Sequence, residues 1–329
     1  MADLRYDPVT GIWVAIARKR RERPMEFVPL EQIHKQIICP FCRGNEEETP
    51  EPIVAFGKDG DRLGETDDPS SWSVRIIPNK FPSLCHAEGT ATCGPYDCSP
   101  LDGIQELLIP TPRHVSSIGE LSLEELSFSL KCCENRVGEL RDLKSIEHVM
   151  CFFNCRSAAG ASLEHIHFQI MGSPVISPFL IQRYERNRQN QELSGNSLIG
   201  GVMQWELEEG TRILKETDNF VMLCPFASRF AFQVWIVPKN QGLAFSNDDI
   251  DFNIELSELC LGYVSKLEEL LENPAYNLLL NLAPNRVRDH EHWFIEIFPR
   301  LNRMAGFELG TDIWVNPVPP ELAVKRLAF

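Results

Sequence analysis

The chemistry of this chain concentrates in one stretch, Gly160-Ala161-Ser162-Leu163-Glu164-His165-Ile166-His167-Phe168-Gln169. Along an extended strand successive side chains alternate between faces, so His165, His167 and Gln169 share one side and Ile166 and Phe168 take the other. Three polar groups on one face, behind a turn of small residues that opens at Gly160, form a cradle suited to a phosphate. A neutral imidazole in such a cradle can attack phosphorus and hold it as a phosphoramidate, splitting one transfer into two. Spacing alone gives equal weight to a plainer alternative, in which the His-x-His pair binds a metal or is simply solvated.

A second constellation is Cys39-Pro40-Phe41-Cys42. Its tight turn presents two thiols, whereas zinc takes four ligands in a tetrahedron. No second Cys-x-x-Cys exists in the chain, so any further ligands must be remote, with His114 and His165 the best candidates. A redox role is the weaker reading, because no strand-then-helix context follows the pair; two unliganded thiols are the plain alternative. His290-Glu291-His292 repeats the His-x-His spacing without the small-residue turn. That copy is expected to be structural or to touch substrate, not to form a second catalytic centre. His34, His86 and His148 read as surface or core histidines.

The elements that must hold these residues can be read from period and punctuation. The first forty residues predict a strand and a basic turn leading to Cys39. Residues 44–71 read as surface loop. Strands are expected over Trp72 to Ile77, Glu106 to Ile109, His148 to Asn154 and His165 to Met171. A helix is expected from Ser122 to Leu143, with Ser122 and Glu125 as a capping box and Leu126, Leu130, Val137 and Leu140 as its apolar stripe. Glu185 to Asn196 reads as linker. Strands over Phe220 to Leu223 and Phe232 to Val237, a helix over Ile254 to Leu271, and strands over Asn277 to Leu282 and His292 to Phe298 then repeat the earlier order. The period of about 150 residues predicts two fused related halves, 1–180 and 181–329, of α+β class, with helices packed on antiparallel sheet.

The chain has 329 residues, enough for a large core, with ordinary hydrophobic (43%) and charged (24%) fractions. A net charge of -15 argues against nucleic acid or anionic membrane as partner. Positive charge must then be local, and the obvious cluster is Arg18, Lys19, Arg20, Arg21 and Arg23. The start lacks the apolar core of a signal peptide, and no run is long enough to span a membrane. Eleven cysteines, odd in number and irregular in spacing, point to a reducing cytoplasm.

Taken together and in order, many short motifs resemble the galactose-1-phosphate uridylyltransferase family of the histidine-triad superfamily. They are Leu4-Arg5-Tyr6-Asp7-Pro8-Val9-Thr10, Trp13-Val14, Arg20-x-x-Arg23-Pro24, Cys39-Pro40-Phe41-Cys42, Arg75 to Pro82, His114, Asn154 to Gln169, Trp235 to Pro238, His292-Trp293-Phe294 and Gly306 to Gly310. The resemblance covers nearly the whole chain and implies duplicated histidine-triad-like halves. It implies His167 as nucleophile and Gln169 as the amide that steadies the phosphoryl oxygens. It implies one structural zinc ion on Cys39, Cys42, His114 and His165. Arg20 and Arg23 would approach the nucleotide phosphates, Asn79 and Phe81 the nucleoside, and Asn154, Gly160 and Ser162 the phosphate side. Phe307, Gly310 and Thr311 fall in the hexose-binding tail. Implied substrates are a nucleotide sugar and a sugar 1-phosphate or phosphate, handled by a cytoplasmic homodimer.

Three departures stand out. Ile166 replaces a proline between the paired histidines, and Arg156 replaces a glycine. The tail Gly306-Phe307-Glu308-Leu309-Gly310-Thr311 looks more like the ADP-glucose phosphorylase branch. Some relatives in that branch carry a second zinc site; here Val202-Met203-Gln204-Trp205 and Gln241 to Phe245 stand at its positions, so a single zinc is expected.

Overall fold

The computed structural model describes residues 3–18, 38–64, 66–84, 91–93, 96–98, 102–242, 245, 249–286, 292–301 and 304–328. A hairpin of β1 (Asp3–Tyr6) and β2 (Trp13–Ile16) comes first, then β3 (Val54–Phe56), β4 (Val74–Pro78), the ribbon β5 (Ala91–Cys93) and β6 (Tyr96–Cys98), and β7 (Ile104–Ile109). Helix α1 (Leu123–Arg141) leads to β8 (His148–Cys155) and β9 (Phe168–Ser173). Helices α2 (Pro178–Ser194) and α3 (Leu198–Glu209) precede β10 (Ile213–Glu216), β11 (Phe220–Leu223) and β12 (Val234–Pro238). Helix α4 (Ile250–Leu271), β13 (Tyr276–Asn281), β14 (Phe294–Pro299), α5 (Gly306–Thr311), β15 (Trp314–Asn316) and α6 (Pro320–Leu327) follow.

Ten strands form one sheet in the order β10-β11-β12-β14-β13-β8-β9-β7-β4-β3. Every neighbouring pair in it is antiparallel. Outward from the central β8–β13 pair, each side repeats the same plan, and the helix before each inner strand (α1 or α4) packs against its counterpart. The architecture is therefore α+β, with the internal repeat visible as two five-stranded arrays sharing one sheet. One face of the sheet and both long helices enclose the main core. The other face carries two smaller clusters, Phe41, Trp72, Ile77, Leu107 and Ile109 on one array and Ile199, Met203, Trp235 and Phe294 with neighbours on the other.

The α1 sequence dictates its own limits. Ser122 Oγ accepts from the Glu125 N–H at 3.1 Å while the Glu125 carboxylate accepts from the Ser122 N–H at 2.9 Å, satisfying two end donors. Leu126, Leu130, Cys133, Val137 and Leu140, spaced three and four apart, are all buried.

Three expectations need correction. The span 185–196 belongs mostly to α2, capped by Ser177 with Pro178 in its first turn. No apolar stripe marks this helix; Arg188 pairs along it with Glu185 at 3.0 Å and Glu192 at 2.5 Å, and only Arg183 and Asn187 are buried. Residues 44–71 contain β3, an edge strand paired to β4 and too short to show a period. The N-terminal segment forms two strands rather than one, and β2 pairs in parallel with β15.

Candidate active site and metal centre

His165 and His167 do not lie inside β9 but in the segment leading into it, with His165 at the end of a bend. This lead-in is fixed by the Ile166 N–H, which donates to the Val115 carbonyl at 2.8 Å. The expected alternation still holds. Ile166 and Phe168 are in the main core, while the Phe41 ring edge meets His165 and His167 with centroids 5.9 and 5.3 Å away.

Cys39, Cys42, His114 and His165 converge so that their ligand atoms all lie within 4.8 Å of one another. The His165 Nδ1 is 3.5 Å from both Cys39 Sγ and Cys42 Sγ, and Cys42 Sγ is 3.3 Å from His114 Nδ1. A tetrahedral ion with sulfur bonds near 2.3 Å and nitrogen bonds near 2.0 Å would set sulfur and nitrogen about 3.6 Å apart. The four residues fit such an ion. His165 Nε2 donates to the Thr111 carbonyl at 3.0 Å, which leaves Nδ1 with the lone pair that a metal requires. Thr111 in turn donates from its hydroxyl to Glu125 of α1 at 2.9 Å.

The Cys-x-x-Cys turn is tied down from both sides. Arg75, buried on β4, donates to the Pro40 carbonyl at 3.2 Å and to Thr49 Oγ1 at 3.1 Å, with its guanidinium over Trp72. Asn45 donates from its side chain to the Cys39 carbonyl at 2.8 Å. Burial, reinforced by the neighbouring Cys39, pushes the Cys42 thiol up to about 11, and burial holds His165 down at about 4. Protein groups alone therefore disfavour thiolate here, and a bound cation would reverse that preference.

His167 is 5% exposed. Its Nδ1 donates to the His165 carbonyl at 2.9 Å. Burial lowers its pKa below the usual histidine value, against the opposing pull of that hydrogen bond. The ring is therefore neutral near pH 7 with its proton on Nδ1, and Nε2 carries the free lone pair. Gln169, two residues on and half-buried, accepts on Oε1 from Gln105 Nε2 at 3.2 Å.

Other expected site residues gather around this face in part. Asn154 lies on β8 and accepts on Oδ1 from Asn277 at 2.7 Å. Gly160, at φ +97°, ends the short turn beyond β8, and Ser162 is exposed between that turn and His165. Asn79 and Phe81 follow β4, and the Asn79 N–H donates to the Gln105 carbonyl at 2.9 Å, which joins their loop to the strand beside Gln169. Phe81 is 83% exposed, an open aromatic face. Phe307, Gly310 and Thr311 lie instead on α5, whose Glu308 lines a small open pocket with Arg229, Pro299 and Trp314. Arg20, Arg23 and His290 lie outside the described residues.

Arg156 does not reach toward the phosphate side. It donates to the carbonyls of Asn273 and Pro274 at 2.7 and 2.8 Å, and its backbone sits at φ 66°, ψ 165°, a region that glycine occupies readily. That conformation explains the glycine in the family pattern. His292 is buried, with Nδ1 2.6 Å from Ser197 Oγ, so this histidine is held from within its own half. The position two after it is Phe294, not an amide.

Sequence reasoning missed Gln105, Asn277, Arg75 and Thr111 as supports. Each holds a partner remote in sequence, so no local spacing reveals the support. Gln105, Asn277 and Arg75 stand out only as polar residues in largely apolar strands.

No protein-family profile matches the chain. It is 28% identical over 334 residues to the ADP-glucose phosphorylase of Arabidopsis thaliana, covering 98% of this chain and 91% of that protein. It is 26% identical over 341 residues to the galactose-1-phosphate uridylyltransferase of Thermotoga maritima, covering 99% and 98%. Among solved structures, the Arabidopsis thaliana ADP-glucose phosphorylase with bound ADP-glucose superposes with a TM-score of 0.81 at 26% identity, covering 99% of this chain and 98% of that one. A uridylyltransferase shares the fold, with a TM-score of 0.74 at 21% identity over 99% and 96% of the two chains. The chain is a homologue of the galactose-1-phosphate uridylyltransferases, with an ADP-glucose phosphorylase among its relatives.

Proposed function

We propose that this chain is a nucleotidyl transferase that carries a nucleoside monophosphate on His167 Nε2 between a nucleotide sugar and a hexose 1-phosphate. The observation that carries the reading is the hydrogen bond from His167 Nδ1 to the His165 carbonyl. It fixes the tautomer and leaves Nε2 nucleophilic. Nε2 attacks the α-phosphorus, a P–N bond forms, the bridging P–O bond breaks, and the sugar 1-phosphate leaves. Positive charge that develops on the ring is met by the same carbonyl. In the second half-reaction a phosphate oxygen of the acceptor attacks, the P–N bond breaks, and His167 returns to its neutral form.

Zinc is the ion proposed for Cys39, Cys42, His114 and His165, and it would supply rigidity rather than contact with substrate. His165 is at once a member of that cluster and the owner of the carbonyl that holds His167, so anchoring its ring steadies the nucleophile. Gln169, Asn154, Gly160 and Ser162 would serve the phosphoryl oxygens, Asn79 and Phe81 the nucleoside, and Arg20 and Arg23 the outer phosphates. Residues 1–180 would form the catalytic half and 181–329 its related partner. Phe307, Gly310 and Thr311 on α5 would serve the hexose, and the chain would act as a homodimer. A reducing cytoplasm is the proposed location, one in which the eight free cysteines among the described residues would stay reduced.

Inorganic phosphate as acceptor is the second reading. The match to an ADP-glucose phosphorylase and the Gly306-to-Thr311 sequence favour it, with adenine then replacing uracil. UDP-glucose and ADP-glucose, each labelled at the α-phosphorus, test both readings. One of them should leave label on the protein, and a His167→Ala variant should take none. Release of that label by galactose 1-phosphate, or by phosphate, decides the acceptor. Persistent labelling of the variant would remove His167 from the mechanism.

A further inference from the structure

We propose that Gln105 and Asn277 are positioning residues that fix which end of the Gln169 and Asn154 amides faces the reacting phosphate, so that both present NH₂ groups. The proposal rests on the reading of His167 as the phosphorus carrier. Asn277 of β13 pairs with Asn154 of β8, and Asn154 and His167 are the residues next to the last β8–β9 pair, Phe153 opposite Phe168. Tyr276, Leu278, Phe153 and Phe168 all face the main core. Asn277 and Asn154 therefore lie on the other face of the sheet, and His167, just ahead of β9 between the core residues Ile166 and Phe168, is on that side too.

The two ends of an amide have the same shape and differ only in donating or accepting. Two backbone groups, which allow no such ambiguity, settle the direction here. The Ser83 N–H can only donate, and it donates to Gln105 Oε1 at 2.7 Å, joined by Ser83 Oγ at 3.0 Å. Gln105 must then turn its nitrogen to Gln169, whose Oε1 accepts it at 3.2 Å. With its oxygen engaged, Gln169 has its NH₂ group left to donate. The Ala159 carbonyl can only accept, and it takes Asn277 Nδ2 at 2.9 Å; the same nitrogen donates to Asn154 Oδ1 at 2.7 Å. That leaves the Asn154 Nδ2 outward, 3.5 Å from where a Cβ on Gly160 would stand.

Both chains thus end in donors beside the nucleophile. A phosphoryl group is rich in acceptor oxygens, so NH₂ groups attract it and reversed amides would repel it. Gln105 also joins the Asn79–Ser83 loop to the strand behind Gln169, which would couple nucleoside binding to the polarity of the phosphate site.

A paired substitution separates polarity from packing. Gln105→Glu keeps size and the Ser83 bonds but offers Gln169 only acceptors, which forces its oxygen toward the phosphate. Gln105→Ala removes the partner and leaves Gln169 free to choose. Binding of ADP or UDP by calorimetry, with whichever nucleotide binds the unsubstituted protein more tightly, should weaken about tenfold to hundredfold in Gln105→Glu and less in Gln105→Ala. In a Gln169→Leu background the glutamate should cost almost nothing further. Asn277→Asp against Asn277→Ala should follow the same order, and the difference should vanish with Asn154→Ala. A larger loss for alanine, or a glutamate penalty undiminished in the Gln169→Leu background, overturns the proposal, since the first marks packing and the second marks bare charge. Covalent labelling of the same proteins is scored separately. Loss of label from the unsubstituted protein with the affinity order intact would sink the His167 reading alone. Failure of both nucleotides to bind would sink both.

Discussion

One backbone carbonyl sets the chemistry of His167, and the neighbouring residues show how closely backbone and side chain share the work. Arg156 is the strained member, held in a glycine-type conformation by bonds to two carbonyls. Arg156→Ala loses the bonds and keeps the strain, whereas Arg156→Gly loses the bonds and relieves it. The glycine variant should be more stable than the alanine variant by about 1–2 kcal/mol, measured by denaturant unfolding. Equal midpoints would remove strain from the account. The convergence of Cys39, Cys42, His114 and His165, and the closeness of His167 to that cluster, were legible in the sequence because the His-x-His and Cys-x-x-Cys spacings and a run of motifs mark them. The tautomer of His167 and the direction of the Arg156 side chain were not, since both depend on carbonyls that only the fold brings near.

At the scale of elements, the cluster of Cys39, Cys42, His114 and His165 joins the Cys39 turn, the His114 loop and the lead-in to β9. Chelation, or Cys42→Ala, should therefore lower the rate of labelling more than nucleotide affinity, because the nucleophile loses its anchor while the nucleoside loop does not. Equal losses in both would show a general collapse instead. His148 opens β8 and is buried, and burial holds its pKa at about 4 while its Nε2 faces the Leu282 carbonyl. Its folded value lies below the ordinary 6.5, so the unfolded chain binds the proton first as pH falls through that window. Stability is full above 6.5 and declines toward 4. Glu134, raised to about 7 by burial, acts in the opposite sense over nearly the same range. A His148→Asn variant should accordingly lose less stability between pH 7 and pH 5 than the unsubstituted protein, by about 1–2 kcal/mol, in unfolding curves at the two pH values. Helix α1 could be read from its capping box and stripe. Helix α2 could not, because charge pairs along its surface replace the apolar period.

The whole molecule depends on the seam where the two arrays meet. Phe153 of β8 packs against Phe168 on its own side and Tyr276 across the seam, with centroids 5.5 and 5.7 Å away. Phe153→Ala should destabilise the protein by about 3–5 kcal/mol, and a single unfolding transition should persist if both arrays unfold together. Two separate transitions would show that they are independent. The repeat itself was visible in the order of elements, but the fusion of both copies into one sheet was not, since nothing in either copy marks β8 and β13 as inner strands. The parallel pairing of β2 with β15 carries a consequence for synthesis. Val14 and Trp314 are partners about 300 residues apart, so at about 5–20 residues per second the first waits roughly 15–60 s for the second. Until then the β2 edge that pairs with β15 has no strand to close it, and a nascent chain stalled before residue 314 would be expected to recruit chaperones at its N-terminal hairpin.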